Sequence, residues 1–169
     1  DNVVIVTRDG WVKRQKEVKE LSTQRLREGD TVLTAEAGST RATIAFFTNQ
    51  GTAYTCRIID IPATTGHGEP IQKLFKFKDG ERVIAAYSMD PRAIGDVGAV
   101  DSTDVPPEHG FAATSDGYSL RFSFAPFVEP STRAGRKFAR PAKGAEVVGV
   151  AAVTGDETII AASREARAI

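Results

Sequence analysis

The sequence predicts an all-β fold, a propeller-like disc of about four blades with the last one partial. Three observations lead there. An extended apolar run closing on Thr or Ser occurs four times, ending at Thr7, Thr48, Thr114 and Ser163. In the first three copies a short turn follows and closes on Gly10, Gly51 or Gly117 before a second extended run begins. A further Gly-led turn then introduces another strand, at Gly29-Asp30 and Gly80-Glu81. Internal repetition of this kind is the mark of stacked architectures. Short hairpins cannot bury their apolar faces alone, and radial stacking protects their edges, whereas a sandwich needs no internal repeat. The repeats span about 1–37, 42–88, 109–153 and 157–169 within one domain of 169 residues, with an insertion at 89–108.

Repeat one opens with Val3 to Thr7, turns at Arg8-Asp9-Gly10 and continues from Trp11 to Arg14. Val, Ile, Thr and Trp suit a pleated strand, and the closing Gly tolerates the left-handed conformation of a three-residue hairpin link. Lys16 to Arg27 reads equally as a short helical turn or a solvated loop, before a strand from Thr31 to Ala35. Repeat two is the clearest copy: Ile44–Thr48 and Thr52–Ile61 flank Asn49-Gln50-Gly51, and Pro62 ends the second strand. Apolar side chains on both faces of the first of these strands predict cover on both sides. A loop at Thr64–Gly68, a mixed stretch at Ile71–Phe77 and a strand at Arg82–Tyr87 complete it. The insertion is longer than ordinary loops and reads as a mobile, solvated excursion. Repeat three runs through Gly110–Thr114, Ser115-Asp116-Gly117, Tyr118–Phe124 and Glu146–Val153, and a fourth begins at Thr158 with a turn, Arg164-Glu165-Ala166, that lacks Gly.

Composition excludes several function classes. No stretch approaches the ~20 apolar residues of a membrane span, and Asp1-Asn2 runs straight into a strand rather than reading as a secretory leader. A pattern that starts and stops inside a repeat is expected of a piece of a longer polypeptide. The single cysteine, Cys56, rules out an internal disulfide framework and suits a reducing, cytoplasmic compartment. His67 and His109 read as loop residues without Cys or carboxylates at metal-ligand spacing, so no metal is expected. The phosphate-binding Gly-x-x-x-x-Gly-Lys-Ser/Thr loop is absent, so no nucleotide cofactor is expected. Tyr54, Tyr87, Tyr118 and Trp11 fall in strands and read as packing residues, and no nucleophile–base pair occurs, so the chain is expected to have no catalytic activity of its own.

Net charge is zero, but the charges are unevenly placed. Arg133, Arg136, Lys137, Arg140 and Lys143 form a basic loop with no acid between Pro130 and Ala145, whereas residues 90–116 carry six acids against Arg92.

The pieces VIVTRDGWVKR, FFTNQGTAYTCRIIDIP and GHGEPIQKLFKFKDGERVIAA, with FAATSDGYSLRF as a weaker copy, resemble the C-terminal domain of the A subunit of bacterial type IIA topoisomerases, DNA gyrase and topoisomerase IV. The resemblance covers most of the chain outside 89–108. It implies a β-pinwheel, whose blades exchange strands, and a non-catalytic role in binding and bending or wrapping double-stranded DNA for the cleavage core. The implied partners are duplex DNA, the rest of the A subunit, and the ATPase B subunit. Gyrase members carry a Gln-Arg-Arg-Gly-Gly-Lys-Gly box. Its counterpart here is the degenerate Gln24-Arg25-Leu26-Arg27-Glu28-Gly29-Asp30, which is more similar to topoisomerase IV.

A DNA-binding rim needs Lys and Arg along one edge, because neutralising phosphates releases counterions without reading sequence. The candidates are Arg8, Lys13, Arg14, Arg25, Arg27, Arg57, Arg121, Arg136, Lys137 and Arg140. Neutral net charge and the acidic insertion favour an alternative, a propeller-like protein-interaction disc.

Overall fold

The computed structural model describes residues 1–98 and 108–153. Its strands are β1 (Asn2–Thr7), β2 (Trp11–Gln15), β3 (Val32–Gly38), β4 (Thr43–Thr48), β5 (Thr52–Arg57), β6 (Glu69–Pro70), β7 (Val83–Ser88), β8 (His109–Thr114), β9 (Ser119–Ser123), β10 (Arg136–Lys137) and β11 (Val147–Val153), with one helical turn, α1 (Pro91–Ile94). They form three antiparallel sheets, ordered β3-β1-β2-β6, β10-β5-β4-β7 and β11-β8-β9. Each sheet is one blade. The strands β3, β7 and β11 lie innermost, β7 packing between the other two.

The hairpin turns follow from one chemical device used three times. The amides of Gly10, Gly51 and Gly117 donate to the carbonyls of Thr7, Thr48 and Thr114 at 3.0–3.2 Å. Each threonine hydroxyl then accepts from the amide just past the glycine, that of Trp11, Thr52 or Tyr118. All three glycines have φ of 84–90°, where a Cβ is strained.

Outer strands are exchanged between repeats. Repeat two donates β6 to blade one, with Trp11 opposite Pro70 and Val12 opposite Glu69. Repeat three donates β10 to blade two, with Thr52 opposite Lys137 and Ala53 opposite Arg136. The residue after each donated strand caps the hairpin tip: Ile71 N donates to Gly10 O and Phe138 N to Gly51 O, and both side chains are buried. This exchange makes the disc a β-pinwheel.

Blade two is covered on both faces, as its double apolar pattern predicts. Ile44 and Phe46 enter one core with Val4, Val12, Tyr54 and Ile71, while Ala45 and Phe47 enter another with Phe124, Phe127, Phe138 and Val150. Phe47 alone meets five aromatic rings at centroid distances of 5.1–6.1 Å.

Several expectations are revised. β5 ends at Arg57, not Ile61, because residues 58–60 wind into a 3-10 turn in which Ile61 N donates to Ile58 O. The stretch from Lys16 to Arg27 is mostly irregular, with one 3-10 turn at Leu21–Thr23. The insertion is not solvated at its start: Met89, Asp90 and Ile94 are buried, and Asp90 caps α1. Residues 99–107 of it, and the fourth repeat, lie outside the described residues. His109 begins β8 and is buried rather than lying in a loop. Tyr118 is 73% exposed and so is not a packing residue, because among the described residues no donated strand flanks it as Pro70 flanks Trp11. Tyr54 is buried as expected, and Tyr87 is half-buried with its hydroxyl donating to Val150 O.

Candidate nucleic-acid interface

The turn that introduces each inner strand has a common geometry. Asp30 N donates to Arg27 O, Glu81 N to Lys78 O and Ala145 N to Ala142 O, and Gly29, Gly80 and Gly144 all have φ of 74–82°. Arg8, Asn49 and Ser115 then donate their amides to Thr31, Arg82 and Glu146. Aligned on these bonds, Arg25-Leu26-Arg27-Glu28-Gly29-Asp30 of blade one matches Lys76-Phe77-Lys78-Asp79-Gly80-Glu81 of blade two residue for residue. The box-like stretch is therefore also a recurring element of the repeat. It places an exposed pair of cations, Arg25 and Arg27 or Lys76 and Lys78, at the same position in successive blades. Lys76 and Lys78 were missed in the sequence, although KFKDGE beside RLREGD carries the signal.

Equivalent side chains hold the two copies down. Lys13 and Tyr54 occupy the same strand position, and each is 1% exposed. Lys13 Nζ donates to Arg25 O at 2.9 Å and Gly66 O at 2.8 Å, while Tyr54 donates to Glu81 Oε1 at 2.8 Å and lies 3.5 Å from Lys76 O. The neighbours of Lys13 on the same face of β2 complete the anchor. Gln15 and Gln24 exchange amide bonds at 3.1 Å, and the Arg27 guanidinium lies 4.7 Å from the centre of the Trp11 ring. Burial, and then the nearby Arg25 charge, lower the Lys13 pKa. Burial and the hydrogen bond to Glu81 raise that of Tyr54.

These contacts remove two candidates from the rim. Lys13 is buried and its ammonium serves two carbonyls, so it cannot meet a phosphate. Arg14 is half-buried and its guanidinium donates to Ile61 O, Asn2 Oδ1 and Ile59 O, which ties β2 to the 58–61 turn. Arg8, Arg25, Arg27, Arg57, Arg121, Arg136, Lys137 and Arg140 are exposed. Within the box-like stretch Gln24 and Leu26 are half-buried, Glu28 and Gly29 are exposed, and Asp30 Oδ1 accepts from the amides of Asp9 and Thr31.

Three exposed cations come together at the hairpin-tip end of blade two. Lys137 Nζ donates to Gln50 O at 3.1 Å, and its pKa is lowered first by burial and then by Lys78 and Arg140, with Glu81 opposing. Lys78, Lys137 and Arg140 thus form one electropositive patch, built from two repeats. Arg136 donates to Pro126 O, and Arg133 to Lys73 O at 3.3 Å. Arg121 stands apart on β9, opposite Phe111. Among the described residues no group of three His, Cys, Asp or Glu could hold a metal ion, and no helix is long and apolar enough to cross a membrane. Cys56 is buried, and burial pushes its thiol up to about 12.

A strand-exchanging β-pinwheel with basic residues on its exposed loops is a narrow class of protein. Over residues 42–88 and 111–154, more than half of its length, the chain matches the family described as DNA gyrase C-terminal domain, beta-propeller, and it belongs to that family. The DNA gyrase A protein of Aminobacterium colombiense is 27% identical across the whole chain, and that of Haloquadratum walsbyi is 27% identical across 75% of it. The chain spans 20% and 15% of those proteins. Among solved structures, the C-terminal domain of DNA topoisomerase IV superposes with a TM-score of 0.72 at 18% identity, covering 91% of this chain and 46% of that one. The E. coli ParC C-terminal domain gives 0.70 at 20% identity, covering 89% and 56%. These two likenesses concern the fold.

Proposed function

We propose that this chain is the non-catalytic DNA-binding and DNA-bending domain of the A subunit of a type IIA topoisomerase, acting as in topoisomerase IV rather than wrapping DNA as gyrase does. The observation that carries it is the recurrence of an exposed cation pair, Arg25/Arg27 and Lys76/Lys78, at one position of successive blades, continued by Lys137 and Arg140. Blades are rotated copies, so a charge repeated on each of them lies on an arc. A duplex following that arc exchanges counterions at every blade and bends without any base being read. The topoisomerase IV preference rests on the box-like stretch, which keeps Gln24, Arg25 and Gly29 but has Leu26 for an Arg, Glu28 for a Gly and no Lys, and which has an ordinary counterpart in blade two. The expected protein partners, in the cytoplasm, are the rest of the A subunit, together with the ATPase B subunit. ATP is consumed outside this domain.

The test is ligation of nicked circular plasmid with increasing domain at low salt, followed by gel analysis of topoisomers. Binding by gel shift with unchanged linking number is the expected result. A shifted linking number would indicate chiral wrapping and a gyrase-like role. No binding at low salt would favour the protein-interaction disc.

A further inference from the structure

The patch of Lys78, Lys137 and Arg140 lies at the hairpin-tip end of blade two, and a second basic feature lies at its opposite end. Arg41 precedes β4 and Arg57 closes β5. Together with Thr40 and Ile59 they line a cavity of about 350 Å³. Two backbone bonds fix its walls, from Ile58 N to Ala42 O at 2.9 Å and from Ile59 N to Thr40 O at 3.2 Å. Both arginines are exposed, and neither guanidinium has an ion pair or hydrogen bond among the described residues. Three other arginines are engaged, Arg14 on three acceptors, Arg82 on Glu146 and Arg92 on Asp1 and Asp90. Asp60 is the nearest acid in sequence and pairs with neither arginine.

We propose that Arg41 and Arg57 form a seat for a backbone phosphate of duplex DNA, so that a duplex following the arc of blades is held at both the hairpin-tip end and the opposite end of blade two. The proposal rests on the DNA-binding reading above. Two planar guanidiniums offer paired donors to phosphate oxygens, and Thr40, a hydroxyl residue, lines the same cavity. From Thr52, the strand partner of Lys137, to Arg57 the chain advances five residues of strand, about 17 Å at ~3.4 Å each. With the reach of long side chains, that separation lets the two ends of the blade meet the phosphate rows on either side of a major groove about 12 Å wide.

The experiment is fluorescence anisotropy of a labelled short duplex, titrated at several salt concentrations. It compares wild type, Arg41→Gln/Arg57→Gln and Lys78→Gln/Lys137→Gln, each checked for an unchanged melting temperature. The seat predicts several-fold weaker binding for the Arg41/Arg57 variant at low salt. It also predicts a plot of log K against log salt that is shallower by about 0.9, from the loss of one neutralised phosphate. Weakening in the Lys78/Lys137 variant alone would overturn the seat and leave the DNA-binding reading intact. No binding by wild type would overturn both. A glutamate-rich peptide that binds wild type but not the Arg41/Arg57 variant, with duplex affinity unchanged, would assign the cavity to a protein partner and overturn the phosphate seat.

Discussion

Blade one and blade two superimpose in their turns, their donated strands and their inner-strand entries, yet equivalent positions carry opposite chemistry. Gly68-Glu69-Pro70-Ile71 closes the outer edge of blade one, and Gly135-Arg136-Lys137-Phe138 closes that of blade two. The glycine and the apolar anchor are common to both. A Cβ on Gly68 would lie 2.2 Å from Val12 O and one on Gly135 2.7 Å from Ala53 O, so neither position accepts a side chain. The two residues between them are free to vary, and there an acid and a proline replace two cations. Lys13 and Tyr54 differ for another reason. Tyr54 is stacked on Phe75 and Phe77 at 5.1 and 4.8 Å, the counterparts of Gln24 and Leu26, whereas Lys13 is satisfied by the carbonyls of Arg25 from its own repeat and Gly66 from repeat two. The repeat dictates backbone hydrogen bonding; what covers each blade decides the side chains.

The largest expected effect separates blade two from blade three at one turn position. A Cβ on Gly51 would stand 2.1 Å from Ala139 O, in the segment that caps the hairpin tip, while one on Gly117 meets nothing within 4 Å. Gly51→Val should cost on the order of 2–5 kcal/mol, combining left-handed strain of roughly 1–2 with overpacking of about 1–3. Gly117→Val should cost only the roughly 1–2 kcal/mol of strain. Urea denaturation of both variants measures the difference, and equal losses would mean that the donated segment does not bear on Gly51.

Next comes Lys13→Met. It removes the donor from the carbonyls of Arg25 and Gly66 and should cost about 1–3 kcal/mol. Duplex affinity should be unchanged at temperatures where the variant is folded, because the ammonium is not at the surface. Loss of DNA binding without loss of stability would return Lys13 to the rim.

The turns were legible because they depend on local chemistry: a threonine hydroxyl and a left-handed glycine within five residues. The strand exchange was not, since β6 and β10 have only two residues each and no periodicity reveals so short a strand. Alternation along β2 puts Trp11, Lys13 and Gln15 on one face, but only the distant segment around Gln24–Arg27 determines that this face is covered. Lys13 beside Arg14 therefore read as a surface pair. The basic loop is exposed as its charge implies, but its anchoring by Phe138 and Ala139 against Gly51 is a long-range contact that charge counting does not disclose.

A smaller effect concerns the seam that joins blade one to blade two. The Asp90 carboxylate accepts from the Arg92 guanidinium at 2.7 Å and from Ser39 N at 2.9 Å, and these bonds, Arg92 first, hold it well below the usual carboxylate range. Because its folded pKa is depressed, the stability it contributes is complete above its unfolded value of about 3.9 and is lost as pH falls through the folded value. Asp90→Asn keeps one acceptor but replaces the other oxygen, which accepts from Ser39 N and Arg92, with a donor, and should cost about 1–2 kcal/mol at neutral pH. Thermal melts between about pH 5 and about pH 2 should show a flatter acid limb for the variant than for wild type. Parallel limbs would place the acid sensitivity elsewhere.

The smallest effect tests the edge chemistry directly. Glu69 is opposite Val12 in the position that Arg136 takes opposite Ala53, and its only ion pair among the described residues is an exposed one with Lys73 at 3.6 Å. Such a surface pair contributes about 0–1 kcal/mol, so Glu69→Lys should leave the fold intact. If the arc of cations passes the outer edges of the blades, the new lysine sits on the path where blade one now presents an acid. Duplex affinity should then rise a few-fold at low salt, and the salt dependence should steepen by about 0.9 for one added phosphate contact. A rise in affinity without a steeper slope would mean that the charge acts at long range through the overall field, because a general electrostatic gain needs no counterion released at a defined contact. No change in either would confine the DNA path to blade two and the blades beyond it, with the acidic edge of blade one left to face protein.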